Sequence, residues 1–323
     1  VDIVCCKHDL LLNFPEAVQE AAKLLPTKVT KTDLKKRLDL RDLTTISIKS
    51  DIQQANPDSM DDAITLEKTE AGHWRLGVHI ADVSHYVIPD SDLDKEAFER
   101  GTSVYLVDRV IPMLPETLSN GLCSLRPNEE KLCFSAVFEL DEEANIVAEW
   151  FGKTVIYSDK RFAYEDVQEI IENKAGQFSE EILTLNALAY KLRDRKFKNG
   201  AISFETSEVK FKLDETGKPI GVYTKERKDA HKLIEDFMLL ANRRVAEFVS
   251  KKEKGKAKLT FVYRAHDVPK EASLESFSKF AANFGYKIST KSGKDTAKSL
   301  NKLMFDIEGL KEQNVLTQLA IRS

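Results

Sequence analysis

Along this chain, segments whose apolar residues alternate give way to segments whose apolar residues recur at helical spacing. Ala63 to Lys68 and Trp74 to Val83 flank a turn at Ala71-Gly72, which predicts a β-hairpin. Leu132, Phe134, Ala136, Phe138 and Leu140 alternate with Cys133, Ser135, Val137 and Glu139. That period of two predicts a strand with one buried face. A second strand, Ile146 to Tyr157, follows a turn around Asp141 to Asn145. Helical spacing then predicts helices over Tyr164 to Glu172, Glu180 to Lys196 and Asp229 to Lys251. In the last of these Ile234, Phe237, Met238, Ala241, Val245 and Phe248 form a core stripe. A hairpin around Glu215 to Lys218 and a strand Leu259 to Arg264 are expected between helices, and helices over Lys270 to Phe284, Thr296 to Phe305 and Gly309 to Arg322 finish the pattern.

Two helix boundaries are written in their end residues. Ser91 can cap a helix over Asp92 to Arg100 that stops at Gly101, and Pro15 can open a short helix that ends before Pro26. The strands and helices lack the regular strand-helix-strand alternation of a doubly wound sheet, so the expected fold class is α+β, a mixed or antiparallel sheet packed with helices. Residues 1–38 read as a connector without a core of its own, and residues 39–323 as one domain. The last helical pattern runs into Arg322-Ser323 with no cap, the expectation for a chain cut inside a domain.

Composition narrows the classes. The chain has 323 residues, 42% hydrophobic and 32% charged, which is a globular balance. Without an apolar run of bilayer length or a signal peptide, the expected location is cytoplasmic, with no membrane partner. Four cysteines are too few for a disulfide framework, and His79, His85 and His231 lack zinc spacing, so they read as packing or surface residues. A net charge of −4 means that any polyanion has to be met locally. Basic clusters at Lys191 to Lys198 and Lys251 to Lys258 coincide with a helix end or a loop, where such residues commonly form solvated faces.

The concentrated chemistry is Asn56-Pro57-Asp58-Ser59-Met60-Asp61-Asp62-Ala63, three carboxylates within five positions. Carboxylates this close repel one another unless a cation sits between them. Mg²⁺ with oxygen ligands is the usual answer, and acidic clamps on Mg²⁺ are a standard way of breaking phosphodiesters. An acidic turn before a strand is also often just solvated. Both readings stand at this level.

With its neighbours the octapeptide resembles the catalytic (RNB) domain of the ribonuclease II and ribonuclease R family, closer to ribonuclease R. The resemblance runs in order through Asp39-Leu-Arg-Asp-Leu43, Met60-Asp-Asp-Ala63, Val78-His-Ile-Ala-Asp-Val-Ser84, Gly101-Thr-Ser-Val-Tyr105, Arg109-Val-Ile-Pro-Met-Leu-Pro115, Leu118-Ser-Asn-Gly-Leu-Cys-Ser-Leu125, Gly200-Ala-Ile-Ser-Phe204 and His231-Lys-Leu-Ile-Glu-Asp-Phe-Met-Leu-Leu-Ala241. It implies a monomeric, processive 3′→5′ exoribonuclease that hydrolyses single-stranded RNA to nucleoside 5′-monophosphates with Mg²⁺, or Mn²⁺ in its place. Asp61 and Asp62 match the family's paired aspartates as catalytic and metal residues. Tyr105 and Phe204 match aromatics that clamp terminal bases, and Glu235 a carboxylate near the terminal ribose. The opening segment looks like the family's linker from cold-shock domains.

Two departures accompany the resemblance. The family's four metal-site aspartates fall at positions 53, 59, 61 and 62 in this register, and Gln53 and Ser59 occupy the first two. Asp58 and Asp51 are the nearest substitutes, with Asp58 the third candidate ligand. The family's later arginine motif and S1 domain are not in this sequence, so the fragment alone is expected to be inactive. The alternative is an RNB-fold module that retains RNA but no longer cuts it. A structural Ca²⁺ loop is a third reading, and Asp58, Asp61 and Asp62 lack its alternate-ligand spacing.

Overall fold

The Ala71-Gly72 turn closes its hairpin with Gly72 at φ 84°, a left-handed conformation that glycine adopts without a side-chain clash. In this computed structural model the described residues are 2–49, 60–204, 208–214, 216, 218–225, 227–253, 260–265 and 268–323. Their strands are β1 (Leu38–Asp39), β2 (Thr45–Lys49), β3 (Asp62–Lys68), β4 (Trp74–Ala81), β5 (Val104–Tyr105), β6 (Val110–Ile111), β7 (Glu130–Leu140), β8 (Ile146–Tyr157), β9 (Lys160–Ala163), β10 (Glu208–Leu213) and β11 (Pro219–Lys225). Seven of them form one sheet in the order β1-β8-β7-β4-β3-β2-β9. Its centre is antiparallel, and both edges are parallel, β1 on β8 and β9 on β2. The mixed sheet with its helices bears out the α+β expectation.

The alternation along β7 misleads about burial. Cys133 and Ser135, expected outside, are buried, whereas Phe134, expected inside, is 45% exposed. A polar ladder explains the buried second face. Thr65 Oγ1 lies 2.9 Å from His79 Nε2, His79 Nδ1 lies 2.7 Å from Ser135 Oγ, and Ser135 Oγ lies 2.6 Å from Thr154 Oγ1. Each group satisfies the next across four strands, so polar residues occupy a closed face without an unmet hydrogen bond between them. Burial pushes the His79 pKa down to about 3, so this histidine is a neutral packing residue, as its sequence setting suggested.

The chain falls into two compact units, one built from Val1–Ala189, Phe211–Tyr223 and Arg227–Glu247, the other from Tyr190–Lys210, Thr224–Glu226 and Phe248–Ser323. In the first, the expected connector helix forms over Glu16–Lys23 and buries Val18 and Ala22 in one cluster with Met60, Leu118, Leu125, Leu132 and Val155. The Arg100 guanidinium fastens the same segment, donating to the Leu11 and Asn13 carbonyls at 2.7 and 2.8 Å and lying 3.7 Å from the Phe14 ring centre. Arg100 ends the helix Asp92–Arg100, whose Ser91 cap and left-handed Gly101 stop form as the sequence predicts. The helix Asp229–Glu253 buries Ala230, Leu233, Ile234, Phe237, Leu240 and Ala241. Met238, Val245 and Phe248 of the expected stripe are only half-buried, so the buried face lies rotated toward Leu233.

In the second unit the helices Glu271–Ala282, Gly293–Asp306 and Gln313–Arg322 pack Phe277, Ala281, Leu300, Leu303, Ile307 and Leu316 together. The strand expected over Leu259 to Arg264 does not form among its described residues, and Val262 there is 91% exposed. Alternation makes a strand only where an edge offers backbone partners. Leu259 itself, Glu215 and Gly217 of the β10–β11 turn, and Lys254, Lys256 and Lys258 of the second basic cluster lie outside the described residues. The four cysteines are free. Among the described residues no helix is long and apolar enough to cross a membrane.

Gly77 on β4 is the tightest point of the polar ladder. A Cβ there would sit 2.3 Å from Thr65 Oγ1 and 2.5 Å from His79 Nε2. We expect Gly77→Ala to destabilise the fold by roughly 2–3 kcal/mol in denaturant titration, the usual cost of forcing extra volume into a packed interior; an unchanged midpoint would contradict the ladder geometry.

Candidate active site

The acidic pair is positioned by backbone hydrogen bonds between segments far apart in sequence. Met60 N donates to Ser124 Oγ at 3.0 Å, and Leu125 N donates to Met60 O at 2.8 Å. The Met60 side chain is buried in the cluster that holds Leu118 and Leu125. This bracket ties the Met60 block to the Leu118 to Leu125 block. Residues Thr117–Leu122 form a π-helical turn, and the buried Lys131 donates to the Gly121 carbonyl at 2.8 Å. From the anchored methionine the chain passes to Asp61, which is exposed, and to Asp62, the half-buried first residue of β3, opposite Ile80 of β4. Ala81 N donates to the Asp61 carbonyl at 3.4 Å.

The electrostatics of the pair are unbalanced. Burial, and then the charge of Asp61, push the Asp62 carboxyl up to about 6, against a smaller opposing effect of Lys49. A divalent cation placed between the two carboxylates would reverse both effects. Adjacent carboxylates supply hard oxygen donors, a donor type that fits Mg²⁺. Among the described residues no group of three or more His, Cys, Asp or Glu gathers in metal-binding geometry. Asp58, the expected third ligand, and Gln53, Ser59 and Asp51 lie outside the described residues.

Around Asp62 the structure adds groups that sequence reading did not assign to the site. The Tyr164 phenol is raised to about 12 by burial and then by the charge of Asp62. Its ring stacks on His231, centroids 4.1 Å apart and planes 15° apart. His231 stands in the first turn of the helix Asp229–Glu253, and Glu235 follows one turn later, ion-paired to Arg227. Ala230 N donates to Gln168 Oε1 at 3.2 Å, tying that helix start to the helix Tyr164–Asn173. The only sequence signal for Tyr164 was a helix start, which is a weak one.

Asp82, immediately after β4, is buried and holds three partners. Arg37 Nη2 lies at 2.6 Å, Ser84 Oγ at 2.7 Å and Lys153 Nζ at 3.2 Å. Arg37 Nη1 also donates to the Cys133 and Thr154 carbonyls, at 3.2 and 3.4 Å. Burial pushes the Asp82 carboxyl up, but the bonds from Ser84, Arg37 and Lys153 outweigh it and the net shift is downward. Asp82 had been quoted only as part of a motif, because its partners lie far along the chain.

Tyr105 and Phe204 fall in different settings. Tyr105, 74% exposed, stands on the β5–β6 ribbon opposite Val110. Phe204 belongs to the second unit, where it packs half-buried against the Phe277 and Leu303 cluster. The neighbouring chain is held by Asn301, whose Oδ1 accepts from Ser203 N at 2.9 Å and whose Nδ2 donates to Ala201 O at 2.8 Å.

Two adjacent aspartates thus stand at the start of an inner strand of a mixed sheet. Residues 37–323 match the RNB domain, and the chain belongs to that family. It is 37% identical over 99% of its length to ribonuclease R 1 of Lactococcus lactis, of which it covers 39%. Mycoplasma genitalium RNase R, solved with ribose-methylated single-stranded RNA, superimposes with a TM-score of 0.87 at 25% identity over 99% of this chain and 49% of that one. The fold is shared also with yeast Ssd1, described as a pseudonuclease, at a TM-score of 0.71 and 21% identity, over 93% of this chain and 35% of that one. The chain spans less than half the length of these relatives.

The raised Asp62 carboxyl has a stability signature. Its folded value of about 6 exceeds its ordinary 3.8, so the folded state binds the proton more tightly. Stability from this group is fully present below pH 3.8 and is lost as pH rises through 6. In metal-free buffer, chemical denaturation across pH 4 to 7 is expected to show wild type losing about 2 kcal/mol relative to Asp62→Asn as pH rises, and Mg²⁺ to restore it. A difference between the two proteins that stays flat with pH would contradict the site's electrostatics.

Proposed function

We propose that this chain carries the catalytic centre of a hydrolytic 3′→5′ exoribonuclease acting on single-stranded RNA and releasing nucleoside 5′-monophosphates. The observation that carries the reading is the Asp61-Asp62 pair, two adjacent carboxylates at the start of an inner strand, with the Asp62 carboxyl pushed up by burial and by the Asp61 charge. The two carboxylates would hold Mg²⁺, or Mn²⁺ in its place, with Asp58 as a further ligand. The bound ion would supply an activated water and offset charge building on the scissile phosphate. The chain's own residues do the positioning. Met60, locked by Ser124 and Leu125, fixes where the pair emerges, and Tyr164, whose ring stacks on His231, is raised in part by the Asp62 charge. Tyr105, exposed and aromatic, and Phe204 supply faces on which bases of any sequence can stack, and Glu235 an acceptor for a ribose hydroxyl.

A second reading is favoured by Gln53 and Ser59, which stand where the family resemblance expects carboxylates, and by the shared fold of a pseudonuclease. In it the RNB fold retains single-stranded RNA without cutting. Mononucleotide release separates the two.

With 5′-labelled single-stranded RNA and Mg²⁺, the whole protein is expected to give short end products and mononucleotides, and Asp61→Asn to slow this by more than about 100-fold. Undiminished degradation by the variant would remove Asp61 from the reaction, and binding without any product at any Mg²⁺ or Mn²⁺ concentration would establish the second reading.

A further inference from the structure

Antiparallel partners point their side chains to the same face of a sheet, so the pairings Asp62–Ile80, Ile80–Phe134 and Phe134–Lys153 place four residues in one row across β3, β4, β7 and β8. The row beside it is closed: Ile64, Val78 and Ala136 are buried. In the row itself Ile80 is 37% exposed and Phe134 45%, although both sit on central strands whose neighbouring positions are mostly buried. An apolar shelf therefore lies open between the carboxylate of the acidic pair and the ammonium of Lys153.

The geometry points to a nucleobase subsite on this shelf: one base of the RNA strand lies on Phe134 and Ile80, and a neighbouring backbone phosphate meets Lys153. The inference rests on the reading that Asp61 and Asp62 mark the cleavage centre. Its chemistry follows from the row. A single-stranded nucleic acid alternates an apolar face with an anionic group, and the row offers a metal-binding carboxylate, two apolar surfaces and a cation in that order. Three strand spacings of about 4.8 Å separate its ends, roughly 14 Å. That leaves room for a base between a phosphate at the acidic pair and a second one at Lys153. The charge is available because Asp82 is shared: Arg37 and Lys153 bring two positive charges to one buried carboxylate, and Lys153 keeps its side chain 44% exposed.

Equilibrium binding of a fluorescent oligoadenylate to the whole protein, with Ca²⁺ in place of Mg²⁺, tests this. Phe134→Ala is expected to weaken binding about tenfold, within the range for one base on an aromatic face. An oligonucleotide with one abasic position, moved through its last few nucleotides, should at one position bind wild type as weakly as the intact strand binds Phe134→Ala. At that position it should lose nothing more in the variant. Lys153→Met should lower the slope of log affinity against log salt by about 0.7, one phosphate contact on a single strand. Phe134→Leu, which preserves apolar volume, keeps the test readable if the alanine variant melts early, and it should lose most of the same affinity. Unchanged affinity in both Phe134 variants, or a fall in melting temperature or a change in oligomeric state with affinity intact, would overturn the subsite while leaving the cleavage centre standing. Failure of the wild type to bind the strand at all would remove both.

Discussion

The ion pair between Arg37 and Asp82 is the constraint on which the working end of the sheet depends. Both side chains are almost fully buried, 3% and 2% exposed, and they meet at 2.6 Å. Removing either partner of such a pair leaves an uncompensated charge in the interior, which typically costs 3–5 kcal/mol. Arg37 does more than neutralise. It reaches the carbonyls of Cys133 on β7 and Thr154 on β8 while holding the residue that ends β4, so three strands are tied at one level. Asp61 is bonded to Ala81, the residue before Asp82. The acidic pair therefore inherits its position from a clasp whose arginine lies at the end of the connector segment.

Two aspartates close together in the fold have been pushed in opposite directions, and the difference separates structure from chemistry. Asp82 is more buried than Asp62, yet its carboxyl is held below the ordinary range because two cations and a hydroxyl bind its charged form. Asp62 is pushed up to about 6 by burial and by the neighbouring Asp61 carboxylate, against a smaller effect of Lys49. Two of the protein's cations are thus bound to the carboxylate that fixes the sheet, whereas Lys49 only partly offsets the burial and the Asp61 charge that raise Asp62. A site organised this way favours an external cation.

Local features were legible in the sequence wherever one or two residues decide them. Gly72 in a turn, Ser91 and Gly101 at the ends of a helix, and Pro15 before another each act through their own backbone, and each forms where expected. The acidic pair was legible for the same reason. What was not legible depends on residues far apart. Arg37 and Asp82 are brought together only by the sheet, and Cys133 and Ser135 are buried because His79 and Thr154 complete a ladder that no single strand displays. The helix pattern around Tyr164 gave no hint that its ring would be buried and stacked on His231. The residues from Thr260 to Arg264 show the converse: alternation is a local signal, and a strand needs a partner that the local signal does not contain.

The chain's net charge of −4 sets the last condition on any polyanion that reaches Asp62. Attraction cannot come from the whole molecule, so it has to arise within roughly a Debye length, about 8–10 Å at ordinary salt. Arg37 and Lys153 share one buried carboxylate at this end of the sheet, which leaves a local excess of positive charge close to the acidic pair. Repulsion between the pair and a phosphate would then be offset from one side by that excess and from the other by a cation held at the carboxylates. Binding through so few charges is weak by itself. Affinity has to be completed by uncharged contacts, and the exposed apolar surfaces nearest the pair, Ile80 and Phe134 on the sheet, are of the kind that stacking on bases requires. A surface that combines few charges with open apolar faces discriminates little among bases, because every base has a face that can stack.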